Sequence, residues 1–532
     1  MFKETELKRP MLILLSVSLI ARILLAIFLE LGPNEAYYWT HALYPDTTHF
    51  DQPPMLGWLI QLFTINLYFD SEFFVRLPSI IIGTINIWLI FIIGRRVKNS
   101  KTGFYSALLF AASPYCSILT GIFITPDTPL TIFFLLSLYF LVEGIFPKYG
   151  LNRESVILAR FASIISAIFI GLAMLSKFGA IMIWVSVIVY ALIAERDMIK
   201  RPILYISASI SMLMMAPIIL WNLSNGFTTI GIYNHSVFSW GDANLHSLLS
   251  QLWETVKLNN PFNILIIIIA IFSYKKNVFI EKRRFIFLLS ISLTIILSFL
   301  LLSLFMTPDS HLSAPGFLGL ILIAGAWMES RFSESKKVVP GILKVSLSFM
   351  AIITLAGFAQ TEWGVFSVSK KGVSISEKFD PTLKLYGDKQ LSKRFSALFT
   401  DDIRKGVMNR NSGIIATNWS DAARLDYYVA YPEKISVKTI APVNYARKYS
   451  WITEYKGGFT KGESYYYIAF SGTKSTLPQS VSRYFTVSDT AAAFYIKRAG
   501  VPITKCTIYR LKNLKELPVK ELTTPIMAGI RE

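Results

Sequence analysis

Apolar runs of about 20 residues recur along this chain, and each is long enough to cross a hydrocarbon core of about 30 Å. Eleven such runs occur, at approximately residues 11–31, 77–94, 104–123, 130–146, 161–176, 178–194, 203–221, 258–274, 285–306, 312–328 and 341–358. Over 532 residues the chain is 53% hydrophobic and only 16% charged. A soluble domain carries about 25% charged residues. The composition therefore excludes a soluble globular enzyme and a disordered chain, and predicts a polytopic α-helical membrane protein of about eleven spans. The first run is read as a signal anchor rather than a cleavable leader: it contains Arg22 and ends in Leu31-Gly32-Pro33, not in a small-x-small site.

Lysine and arginine orient the spans. With the N-terminus in the cytoplasm, the cytoplasmic segments hold 21 basic residues, among them Arg95, Arg96, Lys98 and Lys101, and Lys282, Arg283 and Arg284. The opposite loops hold three, Arg76, Lys177 and Lys257. Residues 55–69 are apolar too, but a twelfth crossing there would move every later basic loop outside. They are expected to form a short interfacial or re-entrant helix. Eleven crossings put the tail outside, so residues 1–358 are expected to be the transmembrane domain and 359–532 an extracytoplasmic α/β domain. In that tail 413–417 reads as a buried strand, 420–430 as a helix, and 465–470 and 507–511 as further strands.

Ionisable groups near the membrane are costly and mark candidate sites. The first outer loop, 32–54, holds Glu35, Asp46 and Asp51 with no lysine or arginine. Later outer turns carry Asp127 in Thr125-Pro126-Asp127-Thr128-Pro129, then Lys177, then Asp309 and His311, while Arg76 begins the second span. All fall on one predicted face. A carboxylate there can take a proton from an acceptor hydroxyl, and Lys, Arg and His can stabilise charge on a departing phosphate. An outer-face reaction has no nucleotide-sugar supply, so the donor would be lipid-linked. Tyr37, Tyr38 and Trp39 could line a substrate groove. Plainer roles stay open: Asp127 suits a helix N-terminus, Lys177 and Arg76 could snorkel, His311 could simply pack, and the Tyr-Trp run suits an interfacial aromatic belt. Asp309 is read as a loop acid.

The two cysteines, Cys116 and Cys506, give neither a disulfide framework nor a metal-ligand spacing. The net charge of +19 is not a nucleic-acid signal. Beyond residue 360, 27 basic residues face 15 acids, and much of the remaining excess orients the spans. No recognition motif for nucleic acid occurs.

Several blocks together resemble one family. They are Glu35-Ala36-Tyr37-Tyr38-Trp39, Phe50-Asp51-Gln52-Pro53-Pro54-Met55, Val75-Arg76-Leu77-Pro78-Ser79 and Thr125-Pro126-Asp127-Thr128-Pro129-Leu130. Gly171-Leu172-Ala173-Met174-Leu175-Ser176-Lys177, Trp221-Asn222 and Ser313-Ala314-Pro315 continue the order. The sequence is similar to bacterial protein-mannosyltransferase-like glycosyltransferases of the GT-C fold, which include the aminoarabinose transferases acting on lipid A. The resemblance implies inverting sugar transfer in the bacterial inner membrane. The donor would be a polyprenyl-phosphate sugar and the acceptor a lipid such as lipid A, a glycan or a protein. It implies Lys177 and Arg76 at the donor phosphate and Asp127 orienting sugar or acceptor; His311, on the same predicted face, is read as a further donor-phosphate candidate. The family's Asp-Glu pair is here Asn34-Glu35, and its Asp-His-Pro-Pro is Asp51-Gln52-Pro53-Pro54. Asparagine is no base, so the base is expected at Glu35, with Asp51 second. No metal site is expected from the residues; a divalent cation, Mg or Mn, is the one cofactor the resemblance leaves room for. The competing expectations are a lipid-linked-sugar flippase and an O-antigen ligase or polymerase. A transporter would place charges near the bilayer midplane in repeated halves, and a ligase would need a larger late loop than 221–257.

Overall fold

A computed structural model describes residues 4–49, 51–147, 153–225, 243–306, 311–333, 338–366, 380–470 and 476–518. Its principal helices are Glu4–Phe28 (α1), Pro33–Leu43 (α2), Met55–Phe63 (α3), Glu72–Val97 (α4), Ser100–Ala111 (α5), Asp127–Ile145 (α6) and Arg153–Met174 (α7). They continue with Met182–Ala194 (α8), Pro202–Leu213 (α9), Ala216–Ser224 (α10), Leu245–Asn259 (α11), Pro261–Ser273 (α12), Lys282–Leu302 (α13), Phe317–Arg331 (α14) and Gly341–Trp363 (α15). The C-terminal part adds Asp388–Arg404 (α16), Trp419–Leu425 (α17) and Lys448–Tyr455 (α18).

Six helices among the described residues are long and apolar enough to span a membrane: Leu7–Phe28 within α1, then α4, α6, α7, α13 and α15. The bent pairs α9–α10 and α11–α12 raise this to eight if each counts as one span. The three remaining expected spans fall on shorter helices. The run 104–123 divides into α5 and a π-helical turn, Tyr115–Leu119, on either side of Pro114, whose ring cannot continue the helical ladder. The run 178–194 begins as a 3-10 turn, Phe178–Ile181, and 312–328 begins with another at Ala314–Gly316 before α14.

The chain divides into two compact units. The first comprises residues 1–26, 52–221 and 237–353. Its core is aliphatic and aromatic, with Ile90, Phe110, Leu135, Ile291 and Leu322 all buried. Helices α4 and α5 approach so closely that a Cβ on Gly103 would sit 2.2 Å from the Phe91 carbonyl oxygen, so only glycine fits there. The 98° break between α11 and α12 is built by Asn260, at φ +66°, followed by Pro261. The Asn260 amide donates to the carbonyls of Ala112 (2.9 Å) and Ser346 (3.1 Å), which ties the bend to two other segments.

The second unit comprises residues 27–51, 222–236 and 354–532. Its five-stranded sheet has the order β2-β1-β3-β5-β4, where β1 is Gly413–Ala416, β2 Val437–Thr439, β3 Tyr465–Phe470, β4 Phe485–Arg498 and β5 Val501–Leu514. Strand β1 runs parallel to β2 and β3, while β3–β5 and β5–β4 are antiparallel. The β4–β5 hairpin turns at Ala499 and Gly500, both at positive φ, as tight hairpin turns require. The segment read as a helix at 420–430 is α17 followed by a π-helical turn, Asp426–Ala430.

Residues 27–51 are an integral part of this unit. The Glu30 carboxylate accepts from the backbone N–H groups of Asp388 (2.7 Å) and Lys389 (3.3 Å), capping α16. That places an anion at the positive end of the helix. The Leu31 N–H donates to the Tyr428 hydroxyl at 2.5 Å. Residues 33–43, expected in the first outer loop, are the helix α2. Pro33 begins it with its φ already helical, and Glu35 closes it from within.

Candidate active site

Two clusters of polar side chains gather the candidate residues, one in each unit. In the first unit Asp127 opens α6 directly after Pro126 and is completely buried. Its Oδ2 accepts from Lys177 Nζ at 2.7 Å and lies 3.3 Å from His311 Nε2, and its Oδ1 accepts from the Tyr115 hydroxyl at 2.9 Å. A carboxylate at this depth is tolerable because it is paired and fully hydrogen-bonded. The Lys177 and His311 side chains are 14% and 29% exposed, so this ion cluster retains an accessible cationic edge.

Lys177 also lines a small pocket of about 20 Å³ whose other walls include Leu130, Phe134, Ala180, Ile183, Ile295 and Phe299. One ammonium therefore faces an otherwise apolar space. Arg76 is wholly buried in α4; it donates to the Ala26 carbonyl at 3.4 Å and lies 5.6 Å from the Phe123 ring centroid. Three residues along, the Ser79 hydroxyl donates to the Phe123 carbonyl at 3.0 Å and contacts Thr128 Oγ1 at 3.2 Å, joining α4 to the turn that presents Asp127. Asp309 lies outside the described residues.

In the second unit Asp51 is buried and accepts from the Tyr37 hydroxyl through both oxygens, at 2.9 and 3.0 Å. The Tyr37 oxygen also accepts from the Lys448 backbone N–H at 3.3 Å. Burial raises the Asp51 carboxyl above its ordinary range, while Arg447, the Tyr37 hydrogen bond and Lys448 pull the other way. Lys448 Nζ is 3.2 Å from the carbonyl oxygens of Thr40 and Tyr44 and 3.1 Å from His49 Nδ1. Burial lowers this lysine to about 7. The His41 and His49 rings stack 4.0 Å apart, and burial holds both well below the ordinary imidazole range, so both are neutral at pH 7.

Glu35 is placed differently from a free loop base. Its Oε2 accepts from the Gly32 N–H at 3.0 Å, forming a capping box on α2. Tyr37 and Trp39 are interior residues, 1% and 0% exposed, and Trp39 packs edge-on against Tyr427 and Tyr431. Of the three expected groove residues only Tyr38 is half-buried, with its ring against Tyr37 and His41.

Sequence reasoning passed over Tyr115, His41, His49, Arg447 and Lys448. Two of the chain's five histidines in one short segment were a legible signal. A lysine among 27 basic residues of the tail was not.

Among the described residues no three His, Cys, Asp or Glu side chains are grouped to hold a metal ion. The carboxylates present do not fit Mg or Mn: Asp127 is already compensated by Lys177 and His311, and Asp51 by a phenol and neighbouring cations.

Residues 51–221 match the family described as dolichyl-phosphate-mannose-protein mannosyltransferase. ArnT from Cupriavidus metallidurans, crystallised with undecaprenyl phosphate, superposes with a TM-score of 0.63 at 14% identity, covering 94% of this chain and 97% of that one. Its apo structure gives 0.65 at 13% identity with the same coverage. The chain has the fold of these ArnT structures. No curated protein matches its sequence. The family-matched segment contains Asp51, Arg76, Asp127 and Lys177, whereas Glu35, His311 and Lys448 lie outside it.

Proposed function

We propose that the protein is a membrane glycosyltransferase that moves a sugar from a polyprenyl-phosphate donor to a lipid (lipid A-like), glycan or protein acceptor, with inversion at the anomeric carbon. The reaction takes place on the outer face of the bacterial inner membrane. Eleven crossings with a cytoplasmic N-terminus put residues 359–532 in the periplasm, in keeping with the basic-residue asymmetry.

The observation that carries this reading is the Asp127–Lys177–His311 cluster at the edge of a small apolar pocket. Lys177 and His311 bind the donor phosphate, and the apolar side chains around Lys177 border the start of its lipid chain. Asp127 holds both cations in place. Arg76 adds positive potential from α4. The acceptor hydroxyl attacks the anomeric carbon and the bond from that carbon to the phosphate oxygen breaks. The phosphate leaves with the electron pair, stabilised by the cations. The proton passes to a general base of the protein, for which Asp51, raised by burial, is the candidate. Glu35 then serves chiefly as the cap that shapes α2, and Tyr38 remains as the groove residue.

Purified protein given a radiolabelled polyprenyl-phosphate sugar and a total lipid extract should yield a labelled lipid, and Lys177→Ala should abolish it. Labelled donor moving across the bilayer with no labelled product would replace this reading with a flippase.

A further inference from the structure

His41 and His49 are buried in the second unit, 0% and 2% exposed, with their rings stacked 4.0 Å apart. Among the described residues neither nitrogen of His41 makes a hydrogen bond, and nor does Nε2 of His49. The remaining nitrogen, His49 Nδ1, lies 3.1 Å from Lys448 Nζ. With the lysine as donor, Nδ1 accepts and the ring's own proton sits on Nε2. An imidazolium carries two N–H donors and a charge, and this pocket provides for neither. Tyr37 and Tyr38 meet His41 edge-on, with centroids at 5.3 and 5.7 Å. The groups that act electrostatically on the rings are Lys448 on both and His49 on His41; Asp46 and Asp51 act on the lysine. The pocket therefore accepts two neutral rings and refuses protonated ones. His41 lies in the last turn of α2 and His49 two positions before Asp51, so the stack closes the stretch between them.

We infer that the stacked His41–His49 pair is an acid-sensitive latch, which holds residues 41–49 closed at neutral pH and releases them reversibly in mild acid. Release draws Asp51 away from the Tyr37 hydroxyl, so the second cluster comes apart in acid and reforms at pH 7. The latch goes beyond sugar transfer and does not depend on it. Below about pH 6.5 the released rings bind protons that the closed pocket excludes, so opening rises as pH falls, by up to about tenfold per pH unit for each ring. Lys448, at about 7, is protonated in both states well below that value and adds nothing to this slope.

Hydrogen exchange read by mass spectrometry tests this on full-length protein in detergent, with no donor, acceptor or turnover. Peptides covering residues 38–49 are followed from about pH 6.5 to 4.5, each rate corrected for intrinsic exchange at its pH. Opening of this segment should steepen in wild type as pH falls, reverse on return to pH 7, and leave β3 protected. His41→Phe keeps an aromatic ring in the stack, and His49→Gln keeps an acceptor for Lys448. Each should lower the slope by about tenfold per pH unit, and the double variant should lower it by both steps. The slope counts protons, so it stays readable where a variant loses stability. Comparison with wild type also cancels Asp51, whose burial-raised carboxyl titrates in the opposite sense. A flat wild-type profile, or an unchanged slope in both single variants, overturns the latch. So does exchange at β3 that rises in step with residues 38–49, because acid would then be unfolding the whole unit.

Discussion

Lys448 Nζ lies 3.1 Å from Nδ1 of His49, 399 positions earlier in the chain, in the interior of the second unit. The same nitrogen reaches the carbonyls of Thr40 and Tyr44 at the C-terminal end of α2, and the residue's backbone N–H reaches Tyr37. One residue therefore secures both ends of the segment that leads to Asp51. Among the described residues no carboxylate lies within ion-pair distance of Lys448.

That environment has a pH signature. The lysine sits at about 7 in the folded protein against 10.5 as a free side chain, with burial as the first cause. Between those values the unfolded chain binds the extra proton, so stability rises as pH increases from about 7 to 10.5. Thermal unfolding of wild type and Lys448→Met across this range should show the rise in wild type and its absence in the variant. Parallel curves would contradict the assignment.

Removing one partner of the buried Asp127–Lys177 pair leaves the carboxylate with His311 and Tyr115 alone. Lys177→Ala should lower stability by about 3 kcal/mol and, under the proposed donor role, abolish binding of a polyprenyl phosphate. Lys177→Arg should recover much of the stability. Thermal shift with and without the lipid phosphate separates the two effects.

Tyr37 holds the Asp51 carboxylate as a hydrogen-bond donor and so favours its ionised form. Tyr37→Phe should move the acid limb of kcat/KM to higher pH while transfer persists. Asp51→Asn should remove transfer at every pH. Glu35→Gln should cost less activity than Asp51→Asn, because an amide oxygen can still cap α2. The reverse ranking of the last two would return the base to Glu35.

The crossing of α4 and α5 has no room for a methyl group at Gly103, where a Cβ would come within 2.2 Å of a backbone oxygen. Gly103→Ala should force the helices apart and cost about 1–3 kcal/mol. Gly457→Ala, where a Cβ meets nothing within 4 Å but φ is +86°, should cost about 1 kcal/mol from backbone strain alone. Thermal stability of the two variants in the same detergent checks the ordering.

Hydropathy and charge are properties of neighbours along the chain, which is why sequence alone located eight apolar runs that match long or bent-pair helices. The buried strand at Gly413–Ala416 was legible for the same reason, as was the polar character of Asp51, Asp127, Lys177 and His311. Where Pro114 interrupts an apolar run, hydropathy kept counting although the helix had stopped, and at Pro315 it counted a turn that precedes the helix. Tertiary structure decided the partners. Asp127 meets Lys177 across 50 residues, and Glu30 caps a helix 358 residues away. Glu35 turned inward to its own backbone, and Arg447 came to rest on Trp419 beside the Tyr37–Asp51 pair. Pairings of that kind depend on which surfaces bury together, and no local pattern records them.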